Sequence, residues 1–161
     1  MPKSIAFIFS AAAAALASFT AQAQSAGDKF GFEHVSCKGG ANEIRVIVSG
    51  VKKPHGLISV DLYPNKEEGF LHKRGRIKQV TVAAKAPETK FCMTAPETGL
   101  FAMSAYQDRN ANAIFDKTGL GLPDEPWGLS NNPKVRFGPP PIEKTLFDVE
   151  KNGAKVEIKL H

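Results

Sequence analysis

The feature that most constrains this chain is the alternation of apolar and polar residues in short runs. The last run is the clearest, with apolar residues at Val156, Ile158 and Leu160 separated by charged ones. Successive side chains of a β-strand point to opposite faces, so such a run predicts a strand with one buried face. Comparable runs, alternating or continuously apolar, cover residues 43–51, 57–63, 77–83, 90–95, 100–107, 146–149 and 155–160.

Turn-forming residues separate these runs, with 14 Gly and 11 Pro among 161 residues. About seven short strands joined by turns predict an all-β fold, an antiparallel β-sandwich, with a small closed barrel as the alternative. The same pattern excludes a multi-helix bundle, a coiled coil and a polytopic membrane protein. Between the last two runs, Asn152-Gly153 is the strongest hairpin signal in the sequence.

The N-terminus has the three parts of a secretory signal. Lys3 gives a charged start, residues 5–17 form an uncharged run, and Ala21-Gln22-Ala23 is a small-x-small cleavage site. As a helix the run spans only about 20 Å, short of the ~30 Å hydrocarbon core of a membrane. We therefore predict a signal peptide at 1–23, an N-terminal arm at 24–42 and one domain at 43–161. The exported protein is expected in the periplasm or outside the cell.

Export places the two cysteines, Cys37 and Cys92, in an oxidising compartment. An even number of cysteines there predicts one disulfide between them. Two buried free thiols are the second interpretation. A catalytic cysteine is the third, because neither residue lies in a CxxC motif or beside a histidine.

The net charge is +5, and basic residues concentrate at Lys52-Lys53 and in residues 72–78. Export and the lack of interleaved aromatic residues argue against nucleic acid as a partner. We interpret these residues mainly as the solvated edge of a sheet, where Lys and Arg discourage aggregation. Weak attraction to an anionic envelope surface is an intermediate interpretation.

Residues 108–141 form a predicted irregular connection, without strands, far longer than compact domains usually carry. Its start has oxygen-bearing side chains at relative positions 1, 3, 5 and 9, the spacing with which a calcium loop surrounds its ion, and position 7 would supply a backbone carbonyl. A later carboxylate, from Asp124 or Glu125, is expected to fold back and complete the ligand set. The candidate ligands that we select are Asp108, Asn110, Asn112, Ile114, Asp116 and Glu125.

The match to a calcium loop is incomplete. Ala113 stands at position 6, where the sharp turn favours Gly, and Gly119 stands at position 12, where a bidentate carboxylate is expected. With only two formal negative charges in the core motif, any affinity should be weak, about 10⁻⁴–10⁻³ M. The equally weighted alternative is a metal-free loop braced by Asx-turns.

The later part of this connection contains the only tryptophan, Trp127. Its ring can anchor the loop on one end of the sandwich, which we favour, or stack on a sugar or peptide. The amides of Asn131 and Asn132 are expected to bond loop backbone, with ligand binding as the lesser alternative.

The segment YQDRNANAIFDKTGLGLPDEPWGLSNN (residues 106–132), followed by Gly138-Pro139-Pro140 after Phe137, resembles the signature of a family of exported bacterial proteins, domain of unknown function 2141. The resemblance extends over about residues 44–160. It implies an immunoglobulin-like or transthyretin-like sandwich and carries no catalytic activity with it. The chain departs from the family pattern at Ala113, where Gly is usual.

No catalytic motif is present: the sequence has neither a G-x-S-x-G elbow nor an H-E-x-x-H helix. The four histidines are scattered, at His34, His55, His72 and His161. We therefore expect a non-enzymatic exported protein whose loop is organised by Ca²⁺. A binding module for glycan, peptide or envelope surface is the alternative, and a hydrolase ranks third.

Overall fold

The computed structural model of the chain describes residues 37–136 and 138–161. The predicted signal peptide and most of the predicted arm therefore lie outside the described residues. The strands are β1 (Glu43–Ser49), β2 (Leu57–Pro64), β3 (Lys78–Ala83), β4 (Glu88–Thr94), β5 (Gly99–Asp108), β6 (Trp127–Leu129), β7 (Phe147–Val149) and β8 (Ala154–Lys159). A short 3-10 helix covers Ile142–Lys144.

The strands form two sheets, which confirms the predicted β-sandwich over the closed barrel. The three-stranded sheet has the order β4-β1-β8, with β8 parallel to β1. The five-stranded sheet has the order β3-β2-β5-β6, and β7 pairs with the N-terminal end of β5. Within the described part of the chain, no helix has the length and apolar character that crossing a membrane requires.

The core lies between the inner faces of the two sheets. Ile44, Val46 and Val48 of β1 are fully buried, and the intervening residues are more exposed, as the alternation predicts. They belong to one apolar cluster with Val60 and Met103 of the five-stranded sheet. Full burial of each such side chain stabilises the fold by about 1.5–3 kcal/mol, so this cluster holds the layers together.

The central strand β2 is buried on both faces, unlike a strand with one solvated face. Its outward residues Ser59 and Asp61 are also buried. Phe70 packs edge-on against Tyr63 at 5.4 Å between ring centres, within a second apolar cluster, and Arg76 pairs with Asp61 at 3.1 Å. Residues 70–76 therefore cover the outer face, and they lead into the edge strand β3.

Two local predictions are wrong. The connection 108–141 is not irregular throughout, because its residues Trp127–Leu129 form β6. Asn152-Gly153 makes a turn, with Gly153 at φ +91 and its N–H bonded to Glu150, but not a hairpin, because β7 joins β5 while β8 joins β1. A turn signal fixes where the chain reverses and leaves open which sheet each strand enters.

The predicted disulfide between Cys37 and Cys92 is confirmed, with 5.1 Å between the Cα atoms. It ties the residues before β1 to strand β4. Beside it, the Glu43 carboxylate accepts hydrogen bonds from the N–H groups of Lys38 and Gly39, at 2.7 and 3.1 Å. The beginning of the described chain is thus fixed to the three-stranded sheet.

Candidate functional site

The candidate site begins at Asp108, the last residue of β5, which pairs with Leu57 of β2. The Asp108 side chain is fully buried. Its Oδ1 accepts the N–H of Asn112 at 3.1 Å, and its Oδ2 accepts the N–H of Ala113 at 2.7 Å. A single carboxylate therefore closes the turn that we call the 108–116 loop.

Inside the loop, two asparagines brace successive turns. Asn110 Oδ1 accepts the N–H of Asn112 at 3.1 Å, and Asn112 Oδ1 accepts the N–H of Ile114 at 2.8 Å. These are the Asx-turns of the metal-free interpretation. Ala113 has φ +61, a left-handed conformation that glycine adopts with less strain. The backbone thus keeps the sharp turn that a calcium loop needs at position 6, although the residue there is alanine.

Two further carboxylates converge on the same loop. The side-chain amides of Asn110 and Asn112 donate to Asp116 Oδ2, at 2.7 and 3.2 Å. Glu125 folds back and accepts the N–H of Arg109 at 2.8 Å and the N–H of Asp116 at 3.2 Å. Of the two acidic residues expected to return to the loop, the structure brings in Glu125, which is buried.

The arrangement concentrates negative charge. Burial raises the pKa of Glu125, and the charges of Asp108 and Asp116 raise it further, against the two N–H bonds that lower it. None of these three carboxylates takes part in the ion pairs Arg76–Asp61, Lys90–Glu88 and Lys155–Glu157. A bound cation would supply counter-charge at this point.

The donor set fits Ca²⁺ in chemistry but is not closed around an ion. Among the described residues, the group of three Cys, His, Asp or Glu ligand atoms lying within 4.8 Å of one another is Cys37, Glu43 and Cys92, and both of its sulfurs are in the disulfide. In the loop, the amide nitrogens of Asn110 and Asn112 face Asp116. Offering oxygen to a cation would require both amides to rotate, at the expense of their bonds to backbone N–H.

The other predicted binding residues lie at the edge where the sheets meet. Asn132 bonds the backbone of β8 twice, donating to Glu157 O at 2.9 Å and accepting from Lys159 N at 2.7 Å. Asn131 donates to Leu146 O at 2.6 Å. Both amides thus bond backbone, but that of β8 and of Leu146 and not that of the loop to which they were expected to bond. Trp127 is half-buried and receives the N–H of His161 at its carbonyl, at 3.0 Å.

Three important residues escaped the sequence analysis. The buried Ser130 hydroxyl accepts the Met103 N–H at 2.9 Å. At Gly128, β6 comes so close to β8 that an added Cβ would lie 2.4 Å from the carbonyl oxygen of Lys159, so this position requires glycine. Gln107 is buried and donates to two backbone carbonyls of the β1–β2 connection. Its signal was present in the sequence, because it continues the core-facing positions of Phe101, Met103 and Ala105 with a polar side chain.

Sequence comparison of this chain with known proteins gives a family match. No curated protein and no solved structure matches it significantly. A family described as an uncharacterised protein conserved in bacteria matches residues 46–157, which include nearly the whole sandwich, the 108–116 loop and β6. The chain therefore belongs to the DUF2141 family, as the motif in residues 106–132 indicates.

Proposed function

We propose that this protein is an exported, non-enzymatic β-sandwich whose 108–116 loop binds Ca²⁺ weakly and is held in shape by it. The observation that carries the proposal is the convergence of Asp108, Asp116 and Glu125 on one loop through hydrogen bonds. Hard carboxylate oxygens are the ligands that Ca²⁺ prefers. The disulfide and the secretory pattern of residues 1–23 support export.

The hydrogen bonds that the loop carboxylates make to backbone N–H groups favour a structural role over an enzymatic one. Asp108 and Glu125 each accept two backbone N–H groups, which stabilise the charged carboxylate and hold it in place. A general acid or base must instead reach a substrate proton. The loop is therefore proposed to position its neighbours, not to transfer protons.

Thermal unfolding in Ca²⁺ and in chelator tests this proposal. If the dissociation constant is about 1 mM, 10 mM Ca²⁺ stabilises the fold by about 1.4 kcal/mol. The melting temperature should then rise by roughly 5 °C. Asp108→Ala should abolish the rise, and Asp116→Asn, at a less buried position, should reduce it.

Asp148→Ala is the matched control, because Asp148 is an exposed carboxylate in β7. This variant should keep the full Ca²⁺ response, and the same concentration of Mg²⁺ should give a smaller rise in the wild type. Equal melting curves in Ca²⁺ and chelator, or an equal response of wild type and Asp116→Asn, would remove the proposal.

A second function, a binding module for an extracytoplasmic glycan, is favoured by one observation. Trp127 lines a cavity of about 510 Å³ together with Asn132, Lys134 and Arg136. A half-buried indole at a concave surface offers a stacking face to a sugar ring. Loss of oligosaccharide binding in Trp127→Ala, with an unchanged melting temperature, would support this function, and unchanged binding would refute it.

A further inference from the structure

A second cavity lies at the end of the sandwich, where the β1–β2 connection meets the ends of β5 and β8. Its volume is about 500 Å³, within the usual range for small-ligand sites. The residues that line it include three cationic side chains, Lys52, Lys53 and Arg109, two histidines, His55 and His161, and no Asp or Glu; the others are Gly50, Gln107, Pro126 and Leu160. The cavity wall therefore carries positive charge.

The wall is built on fixed backbone. Gln107 is buried in β5 and donates to the carbonyls of Lys53 and His55, both at 2.9 Å. These two bonds hold the β1–β2 connection against the end of β5. Lys52, Lys53 and His55 thus project from a segment whose position the core strand sets, which lowers the entropy cost of gathering their charges around a ligand.

Arg109 also lines the cavity, and the loop already described fixes its backbone. Its backbone N–H donates to Glu125 at 2.8 Å, while its side chain is exposed and lines the cavity. Asp108 and Glu125 are not among the residues that line the cavity, and their oxygens accept backbone N–H groups of the loop. The backbone bond to Glu125 does not depend on the Arg109 side chain, so that side chain can be removed separately.

The two cavities are neighbours, because His161 lines both. The His161 N–H donates to the carbonyl of Trp127 at 3.0 Å, so the tryptophan stands next to the basic cavity. On the tryptophan side, Lys134 and Arg136 add two further cations. Basic side chains thus line both cavities, and Trp127 lines the second of them.

From this arrangement we infer that the two cavities together bind an acidic oligosaccharide, a chain of sugars bearing carboxylate or sulfate groups. The inference rests on the second proposed function and names its substrate class. Two neighbouring basic cavities suit a ligand with repeated negative charges, and the Trp127 ring in the second cavity suits the apolar face of a sugar ring. Under this inference the basic pair Lys52-Lys53 binds the acidic ligand, in addition to keeping the edge of a sheet solvated.

Fluorescence of Trp127, the only tryptophan, reports binding directly. The full chain after export, kept in chelator, is titrated with a galacturonate hexasaccharide, a sulfated heparin hexasaccharide and a neutral maltohexaose. At least one acidic probe should shift the emission with a saturable curve that weakens as salt is raised, and maltohexaose should not.

The double variant Lys53→Ala/Arg109→Ala should weaken binding about tenfold, since it removes two of the exposed charges that line the basic cavity. Lys73→Ala/Arg74→Ala is the matched control, because it removes two exposed charges that line neither cavity. It should change the affinity less than twofold. Melting curves of both variants check that each remains folded.

The inference is overturned if both double variants weaken binding equally, if maltohexaose binds as well as the acidic probes, or if a DNA duplex binds more tightly than either. If Trp127→Ala loses binding of neutral and acidic sugars alike while Lys53→Ala/Arg109→Ala retains it, the glycan module stands and its acidic specificity fails. If no oligosaccharide of any charge binds, the glycan module itself fails.

Discussion

The two sheets of the sandwich differ in what they bury. Among the described residues, the strands of the three-stranded sheet bury no charged side chain, and β1 and β8 alternate between a buried and a more exposed face. The five-stranded sheet and its connections bury three carboxylates, Asp61, Asp108 and Glu125. One sheet is held by apolar packing and a disulfide, and the other adds buried charge, which costs free energy unless it is paired or hydrogen-bonded.

This difference separates the part of the molecule that maintains the fold from the part that can respond to solution conditions. Apolar contacts depend little on pH or on cations, whereas a group of carboxylates depends on both. We therefore expect changes in the three-stranded sheet to alter stability without altering the Ca²⁺ response. Changes around the 108–116 loop should alter the response itself.

The largest effect is expected from removing the disulfide with Cys37→Ala/Cys92→Ala. The bond closes a loop of 55 residues, so its loss should cost about 4 kcal/mol in the chain-entropy model. Urea unfolding measures this cost. Because the bond lies at the three-stranded sheet, the rise in melting temperature on adding Ca²⁺ should remain, and its disappearance would contradict the separation of the two sheets.

An intermediate effect is expected from pH. The pKa of Glu125 is raised in the folded protein above its ordinary value of 4.5, chiefly by burial. The proton therefore binds the folded state more tightly, and this contribution to stability is full below the ordinary value and lost as pH rises through the raised pKa. In chelator, acidification from neutral pH should stabilise the wild type relative to Glu125→Gln.

The urea midpoints of both proteins across this pH range measure the difference. The raised pKa of Asp61 contributes in the same direction in both proteins, so it cancels in the comparison. Ca²⁺ should reduce the difference, because it favours the charged carboxylate. Parallel pH profiles of wild type and Glu125→Gln in chelator would show that Glu125 does not carry the effect.

The smallest effect is expected at an exposed ion pair of the three-stranded sheet. In β8, the Lys155 Nζ and the Glu157 Oε1 lie 2.6 Å apart, and more than half of each side chain is exposed. Surface pairs of this kind contribute little. Lys155→Ala should leave both the urea midpoint and the Ca²⁺ response unchanged within error. A clear loss of stability would show that charge matters on this sheet as well.

The same division explains what could be predicted from sequence. The alternation in β1 and β8 is readable because solvent lies on one face, and the Asp/Asn spacing of the 108–116 loop is readable because its bonds join residues close in sequence. β6 has only three residues and is defined by its pairing with β5, more than twenty residues earlier in the chain. The bonds from Asn132 to β8 and from Gln107 to the β1–β2 connection likewise join residues far apart in sequence, so no local pattern reveals them.

The central claim, that the 108–116 loop binds Ca²⁺, is tested most directly by following backbone amide resonances during a Ca²⁺ titration. The N–H groups of Arg109, Asn112 and Ala113 donate to the carboxylates concerned. The account predicts that their resonances shift with a common saturation curve at about 10⁻⁴–10⁻³ M, while those of β1 stay in place. Resonances of the loop that remain unchanged up to saturating Ca²⁺, or that shift no more than those of β1, would contradict it.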